Sequence, residues 1–397
     1  MDLSQLHFLV AEGNPAQRQA LTDLLARFGA GKVSQAPDGH SALSCLLDQA
    51  DAPHIALIDL ELPGIDGLEL IRRLSEAKCG IEIIIVSGQS SSLLFSVETM
   101  AQAYGIDMLG TLDRPVGAAK LQELLANYGP RRVPPPRRPH PEFTFAQVGQ
   151  GLQARQFEPY FQPKIELATG QVKGMETFAR WNHPEFGVLG TQDFIDALKA
   201  NNRVDFLDWS LIEKSVAACR LLHDQGIPIS ISINVAPRTL GQPLFMQQMS
   251  ACLARHRIMA DYVTFEMPES AVLSTDPHLL ERLLRLRMQG FGLAIDDYGT
   301  GSSNLQLLAR IPFSELKIDR SFVDGASKKH ALGTVLRSCL GLAASLERRS
   351  VAVGVETKED WDFLLGLGCT YAQGYYIARP MPVQEIPGWL EDWRQFF

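Results

Sequence analysis

The sequence predicts two α/β domains, a doubly wound parallel sheet followed by a TIM-like (β/α)8 barrel. Three observations carry this. Up to residue 127, short apolar runs alternate with segments whose apolar residues recur at helical spacing. Residues 128–143, YGPRRVPPPRRPHPEF, break that alternation with proline and arginine. From 144 to 397 the alternation resumes over about 250 residues, the length of a closed barrel rather than a small open sheet.

In the first domain the predicted strands read HFLVAE, KVSQAP, IALIDL, EIIIVSG and DMLGTL. AQRQALTDLLARF and GLELIRRLSEA are among the helices between them. Near-continuous apolar strands imply a sheet covered on both faces, hence parallel and doubly wound. Such sheets hold their ligands beyond the carboxyl ends of the strands. Proline fixes the backbone of the next segment and removes hydrogen-bond donors, so 128–143 reads as a stiff spacer. In the second domain PYFQPKIEL, VKGMETFARW, PISISINVA, YVTFEM, GLAIDDYG, ELKIDRSF, SVAVGVE and YAQGYYIA read as strands. FLDWSLIEKSVAACRLLHDQ and HLLERLLRLRMQ read as helices. A long open sheet is the competing architecture.

Composition excludes several classes of function. A net charge of −8 gives no basic face for a DNA or RNA duplex, although one phosphate-rich ligand in a local pocket remains compatible. The six cysteines form no CxxC pair, which fits reduced thiols in a cytoplasmic protein better than disulfides or a zinc ribbon. The first residues lack the pattern of a signal peptide, and no apolar run approaches the roughly 20 residues of a membrane helix.

Asp59 ends IALIDL and precedes the turn-rich LPGIDG, where an acid meets solvent, a metal or a phosphoryl donor. A turn aspartate is the plain alternative. With Ser87 after EIIIVSG and Arg114-Pro115 after the fifth strand, roughly residues 5–127 resemble the flavodoxin-like receiver domain of response regulators. The resemblance makes Asp59 the phosphoacceptor and Ser87 its hydroxyl partner. It implies an acidic pair for magnesium, which here reads Glu12-Gly13, and a lysine, which here is Arg114. The aromatic switch position reads Thr111. Arginine keeps the charge but not the compact ammonium, and one fewer carboxylate weakens a magnesium site. The expectation is poor phosphorylation at Asp59 by any sensor kinase.

In the second domain, polar residues recur where barrel strands should end: Glu176, Asn234, Glu266 with Glu269, Asp296 with Asp297, Lys317, and Glu356. Each alone reads as a cap or a solvated loop residue. Together they converge on the carboxyl face, where barrel active sites lie. Crowded carboxylates repel each other and call for a hard cation, so oxygen donors of this kind favour Mg2+ or Mn2+ over zinc. With Lys317 as a fixed cation, the set suits metal-assisted hydrolysis of a phosphate ester.

The strings FQPK, GMETFARWNHPEFGVL, INVAP, FEMPES, IDDYGTGSSNL, LKIDRSFV and QGYYIARPMP occur in that order over roughly residues 145–390. They resemble the EAL family of cyclic di-GMP phosphodiesterases, which also contains receiver–EAL arrangements. The resemblance implies that Glu176, Asn234, Glu266 and Asp296 hold a first metal and that Asp297 serves a second. It implies that Lys317 helps to position the attacking water, with Glu356 nearby. Gln162, Arg180 and Gln373 would contact the ligand, and Glu269 would brace the loop that starts at Asp297. A homodimer and a protein partner are further expectations.

Three departures bear on activity. The naming motif reads Glu176-Thr177-Phe178, with a phenylalanine for the leucine. Ser302 replaces an aromatic in the loop DDYGTGSSNL. Aligned on Gly354-Val355-Glu356, the glutamate that the family assigns as base or second-metal ligand is Val353. Glu356, three residues later on an extended strand, should point to the opposite face and substitute poorly unless the strand ends there. The sequence therefore predicts a degenerate EAL protein that binds cyclic di-GMP or a protein partner with little hydrolysis. An active phosphodiesterase yielding pGpG and a nucleotide-independent scaffold are the alternatives.

Overall fold

A computed structural model of the chain describes residues 3–48, 51–126, 128, 143–272, 277–301, 308 and 310–396. The spacer predicted at 128–143 lies almost wholly outside them, as does Ser302. The chain divides into two compact units, Met1–Arg137 and Arg138–Phe397.

The first unit is a parallel sheet of β1 (His7–Ala11), β2 (Lys32–Ala36), β3 (Ile55–Asp59), β4 (Glu82–Ser87) and β5 (Asp107–Asp113). The strand order is β2-β1-β3-β4-β5, the doubly wound order with a switch point between β1 and β3. Its central strands are buried on both faces, which is why they read as unbroken apolar runs. One core packs around Leu9, Ile58 and Leu70, and the other around Phe8, Leu57 and Leu121. Asn14, Asp38 and Asp66 cap helices that follow β1, β2 and β3 by accepting from backbone N–H groups in the first turn.

The second unit is built on β6 (Phe157–Glu166), β7 (Val172–His183), β8 (Gly187–Gly190), β9 (Ser230–Asn234) and β10 (Val263–Pro268). It continues with β11 (Gly292–Tyr298), β12 (Glu315–Ile318), β13 (Arg349–Val353), β14 (Tyr371–Gln373) and β15 (Met381–Pro382). The order runs β6-β14-β13-β12-β11-β10-β9-β7, and β7 pairs back onto β6, which closes an eight-stranded barrel. Closure removes the open-sheet alternative. The barrel departs from the ideal repeat at its first strand, because β6 is antiparallel to both β7 and β14. A short turn joins β6 to β7 where the repeat would have a helix, and a two-strand hairpin needs no crossover. β8 extends β7 as a hairpin that the sequence reading did not contain. YAQGYYIA is strand only over Tyr371–Gln373. Among the described residues no helix is long and apolar enough to cross a membrane.

Candidate active site at the carboxyl end of the barrel

β7 places Glu176, Phe178 and Arg180 on one face, since side chains alternate along a strand. Glu176 lies in register with Gln162 on β6 and Ser232 on β9. Asn234 ends β9 in register with Glu266 on β10, and Pro268 lies in register with Asp296 on β11. Neighbouring strands therefore deliver Glu176, Asn234, Glu266 and Asp296 to one rim, as the strand-end pattern predicted.

At its centre is Lys317, which is 1% exposed. Its Nζ meets Glu176 Oε2 at 2.9 Å and Asp296 Oδ1 at 3.1 Å and donates to Glu266 Oε2. Asn234 Nδ2 donates to Glu176 Oε1 at 2.9 Å. Gln373 Nε2 donates to Glu176 Oε2 at 2.7 Å and to Gln162 Oε1 at 2.9 Å. Gln162 in turn donates to the Ala378 carbonyl at 2.8 Å. Gln373 thus holds Glu176 in place, and Gln162 orients Gln373.

Electrostatics separate the three acids. Burial and the neighbouring Glu176 push Glu266 well above the usual carboxylate range. Burial, reinforced by Glu176, also raises Asp296. Burial opposes the charge on Glu176 too, but Lys317, Asn234 and Gln373 outweigh it and its pKa falls. Burial likewise opposes the charge on Lys317, yet Asp296, Glu176 and Glu266 hold its pKa well above normal. Three acids around one lysine leave excess negative charge at the site.

The same donors suit a hard cation. Glu176, Glu266 and Asp296 each offer an oxygen, all within 4.8 Å of one another. The amide oxygen of Asn234 takes no part in its bond to Glu176. The residues present therefore fit Mg2+ or Mn2+, and the chemistry of the set favours neither ion.

Asp297 follows Asp296 but adopts φ +55°, at the register shift in β11 between Ile295 and Tyr298. Burial and the adjacent Asp296 raise its pKa. Glu269 Oε2 accepts from the Gly299 amide at 2.8 Å, so Glu269 is bonded to the start of the loop that follows β11. Arg180 sits over the rings of Tyr160 and Phe178 at 5.9 and 5.8 Å. Phe178, the departure in the naming motif, is thus stacked against the predicted phosphate ligand. Sequence reasoning missed Tyr160; its register with Phe178 appears only once β6 is antiparallel.

Val353 ends β13 in register with Gln373. Register partners on adjacent strands share a face, and Gln373 reaches Glu176, so position 353 faces the barrel interior. Lys317 is in register with Val351, two residues earlier on that face. Alternation would place Glu356 only on a strand that continues to it. The strand ends at Val353 and Gly354 takes φ +81°, so alternation no longer decides where Glu356 points. Only glycine fits at 354, because a Cβ would lie 2.4 Å from Arg320 Cγ. Glu356 pairs with Arg320 at 2.9 Å, and both side chains are partly exposed.

In the first unit, Arg114 bridges two acids. It donates to Glu12 Oε2 and meets Asp59 Oδ2 at 2.8 Å. Burial opposes its charge, but Asp59 and Glu12 raise its pKa overall. Asp59 and Ser87 are buried strand-end residues, and Asp59 and Val86 are in register. Thr111 lies on β5.

A family model for the EAL domain matches residues 146–380, and one for the response regulator receiver domain matches residues 8–126. The chain belongs to the EAL family. As a receiver–EAL protein it is 36% identical over 386 residues to the cyclic di-GMP phosphodiesterase RocR of Pseudomonas aeruginosa, covering 97% of this chain and 98% of RocR. Over 252 residues it is 33% identical to the oxygen sensor protein DosP of Escherichia coli, covering 62% of this chain and 32% of DosP. The EAL barrel resembles the PaMucR phosphodiesterase in its c-di-GMP complex, at 30% identity and TM-score 0.57, covering 61% of this chain and 98% of that one. The EAL enzyme Bd1971, bound to cAMP and cyclic di-GMP, matches at 27% identity and TM-score 0.58, covering 61% and 66%.

Proposed function

We propose that this receiver–EAL protein binds cyclic di-GMP at the carboxyl end of its barrel and hydrolyses it little. Valine at position 353 carries the reading. It is neither a proton acceptor nor a metal ligand, and it lies in register with Gln373 on the next strand, whose amide donates to Glu176. Glu176, Glu266, Asp296 and Asn234 would hold one Mg2+ or Mn2+, which when bound supplies Lewis-acid polarisation of a phosphoryl oxygen. Arg180, seated on Tyr160 and Phe178, would take a ligand phosphate. Glu269 would keep the loop that follows β11 ordered through the Gly299 amide.

The output of such a protein is ligand occupancy, passed to a protein partner. Its receiver would answer weakly to phosphodonors, because Arg114 already pairs with both Asp59 and Glu12. A second reading is favoured by the relation to RocR over nearly the whole chain and by the intact acid cluster. In it, Glu356 leaves Arg320 to serve as the base and the protein is an active phosphodiesterase.

Calorimetry with cyclic di-GMP in Ca2+, followed by turnover to pGpG in Mg2+ and Mn2+, separates the readings. Binding with negligible turnover is expected. Robust turnover by the native protein would establish the second reading, and absence of binding would leave a nucleotide-independent scaffold.

A further inference from the structure

Outside the barrel mouth, a second group of metal-ligating side chains lies between two helices of the barrel's outer layer. Glu213 comes from the helix Val204–Asp224, and Cys252 and His256 come from Phe245–His256. Cys252 and His256 are four residues apart, one helical turn, so they share the face that meets Glu213. One ligand atom from each, a carboxylate oxygen, a thiol sulfur and an imidazole nitrogen, lies within 4.8 Å of the others. His256 Nε2 is 3.1 Å from Glu213 Oε1.

We propose that Glu213, Cys252 and His256 form a binding site for Zn2+ or a similar borderline-soft cation, separate from the hard-cation site in the barrel. The donor set decides the class of ion: one sulfur, one nitrogen and one oxygen suit zinc, whereas the barrel's oxygens suit Mg2+ or Mn2+. Ligand atoms around tetrahedral zinc sit about 3.3–3.8 Å apart, as follows from its bond lengths. The 3.1 Å already present between Glu213 and His256 is close to that spacing, and small rotamer changes would bring in Cys252.

The thiol would lose its proton to solvent as the sulfur–zinc bond forms, so binding releases one proton. Without metal that proton is firmly held, since burial and then Glu213 push Cys252 up to about 12. Arg255 also pairs with Glu213 Oε1 and competes with the ion; its side chain is 62% exposed and can swing into water. The fourth position would go to water, because among the described residues no fourth protein ligand joins the group. A bound ion would pin the two helices to each other.

The test uses the full chain with Mg2+ in excess to occupy the barrel carboxylates, and Co2+ as the probe. Cobalt bound to a thiolate gives a sulfur-to-metal charge-transfer band in the near ultraviolet, which carboxylates do not give. The native protein should show this band at one equivalent, and Zn2+ should abolish it. Cys252→Ser should lose it, and His256→Ala and Glu213→Gln should each weaken Co2+ binding at least about tenfold. Cys219→Ser is the control, because Cys219 and His223 repeat the spacing on the other helix, with sulfur and ring nitrogen 3.5 Å apart. It should keep the band. No band in the native protein, or one that survives in a folded Cys252→Ser variant, overturns the site. Circular dichroism of each variant shows that it is folded. Zinc should also raise the melting temperature of the native protein and not that of Cys252→Ser.

Discussion

Val353→Glu should convert this protein into an active phosphodiesterase. The substituted carboxylate would leave the end of β13 on the face shared with Lys317 and Gln373. Adjacent strands are about 4.8 Å apart, so a glutamate there stands between the strands of Gln373 and Lys317, both of which contact Glu176. The backbone needs no change, since Gly354 makes the following turn and its amide donates to the Gln373 carbonyl at 2.8 Å. Position 353 is partly exposed, so the new charge is not buried without solvent. A positioned base contributes about 10²–10⁴-fold, and each decade corresponds to about 1.4 kcal/mol of barrier. The gain in kcat should therefore be about 100-fold or more, with the affinity for cyclic di-GMP nearly unchanged. The assay is chromatographic detection of pGpG in Mg2+ or Mn2+, with calorimetry in Ca2+ alongside. A variant that binds ligand and metal yet cleaves no faster than the native protein would refute the assignment of position 353. So would a native protein whose activity disappears in Glu356→Gln.

Three other perturbations have defined outcomes. Lys317→Met removes the cation from three buried acids, which should cost roughly 3–5 kcal/mol. The melting temperature should fall least at low pH, where the acids are protonated, and Mn2+ should recover part of the loss. Asp208 is buried, accepts from the Ala236 amide at 3.0 Å and from the Thr239 hydroxyl, and has its pKa pushed up to about 7, chiefly by burial. A raised acid pKa favours the folded state fully below the unfolded value near 4, and that stability is lost as pH rises through about 7. Asp208→Asn should flatten the decline in melting temperature between about pH 4 and 7; an unchanged slope would show that other groups cause it. In the first domain, a small-molecule phosphodonor with Mg2+ should leave Asp59 unmodified by intact mass, whereas Gly13→Asp with Arg114→Lys should yield phospho-Asp59. A Cβ at 13 would lie 3.0 Å from Pro63 Cδ, so that variant requires a shift of a few tenths of an ångström.

The two α/β units were legible in the sequence, because buried parallel strands must be apolar throughout and helices must show their period. It also showed which polar residues stand at the ends of the barrel strands, since Glu176, Asn234, Glu266 and Asp296 each follow an apolar run. The valine at 353 was legible too, against the family pattern. Tertiary structure decided what strand periodicity cannot encode. The antiparallel β6 depends on pairing partners far along the chain, and it alone sets Tyr160 beside Phe178 and Arg180. Glu356 turns toward Arg320 because a left-handed glycine ends the strand, a choice fixed by the space that the Arg320 side chain leaves. The Glu213, Cys252 and His256 cluster is invisible in sequence for a similar reason: two helices distant in the chain bring it together only when packed.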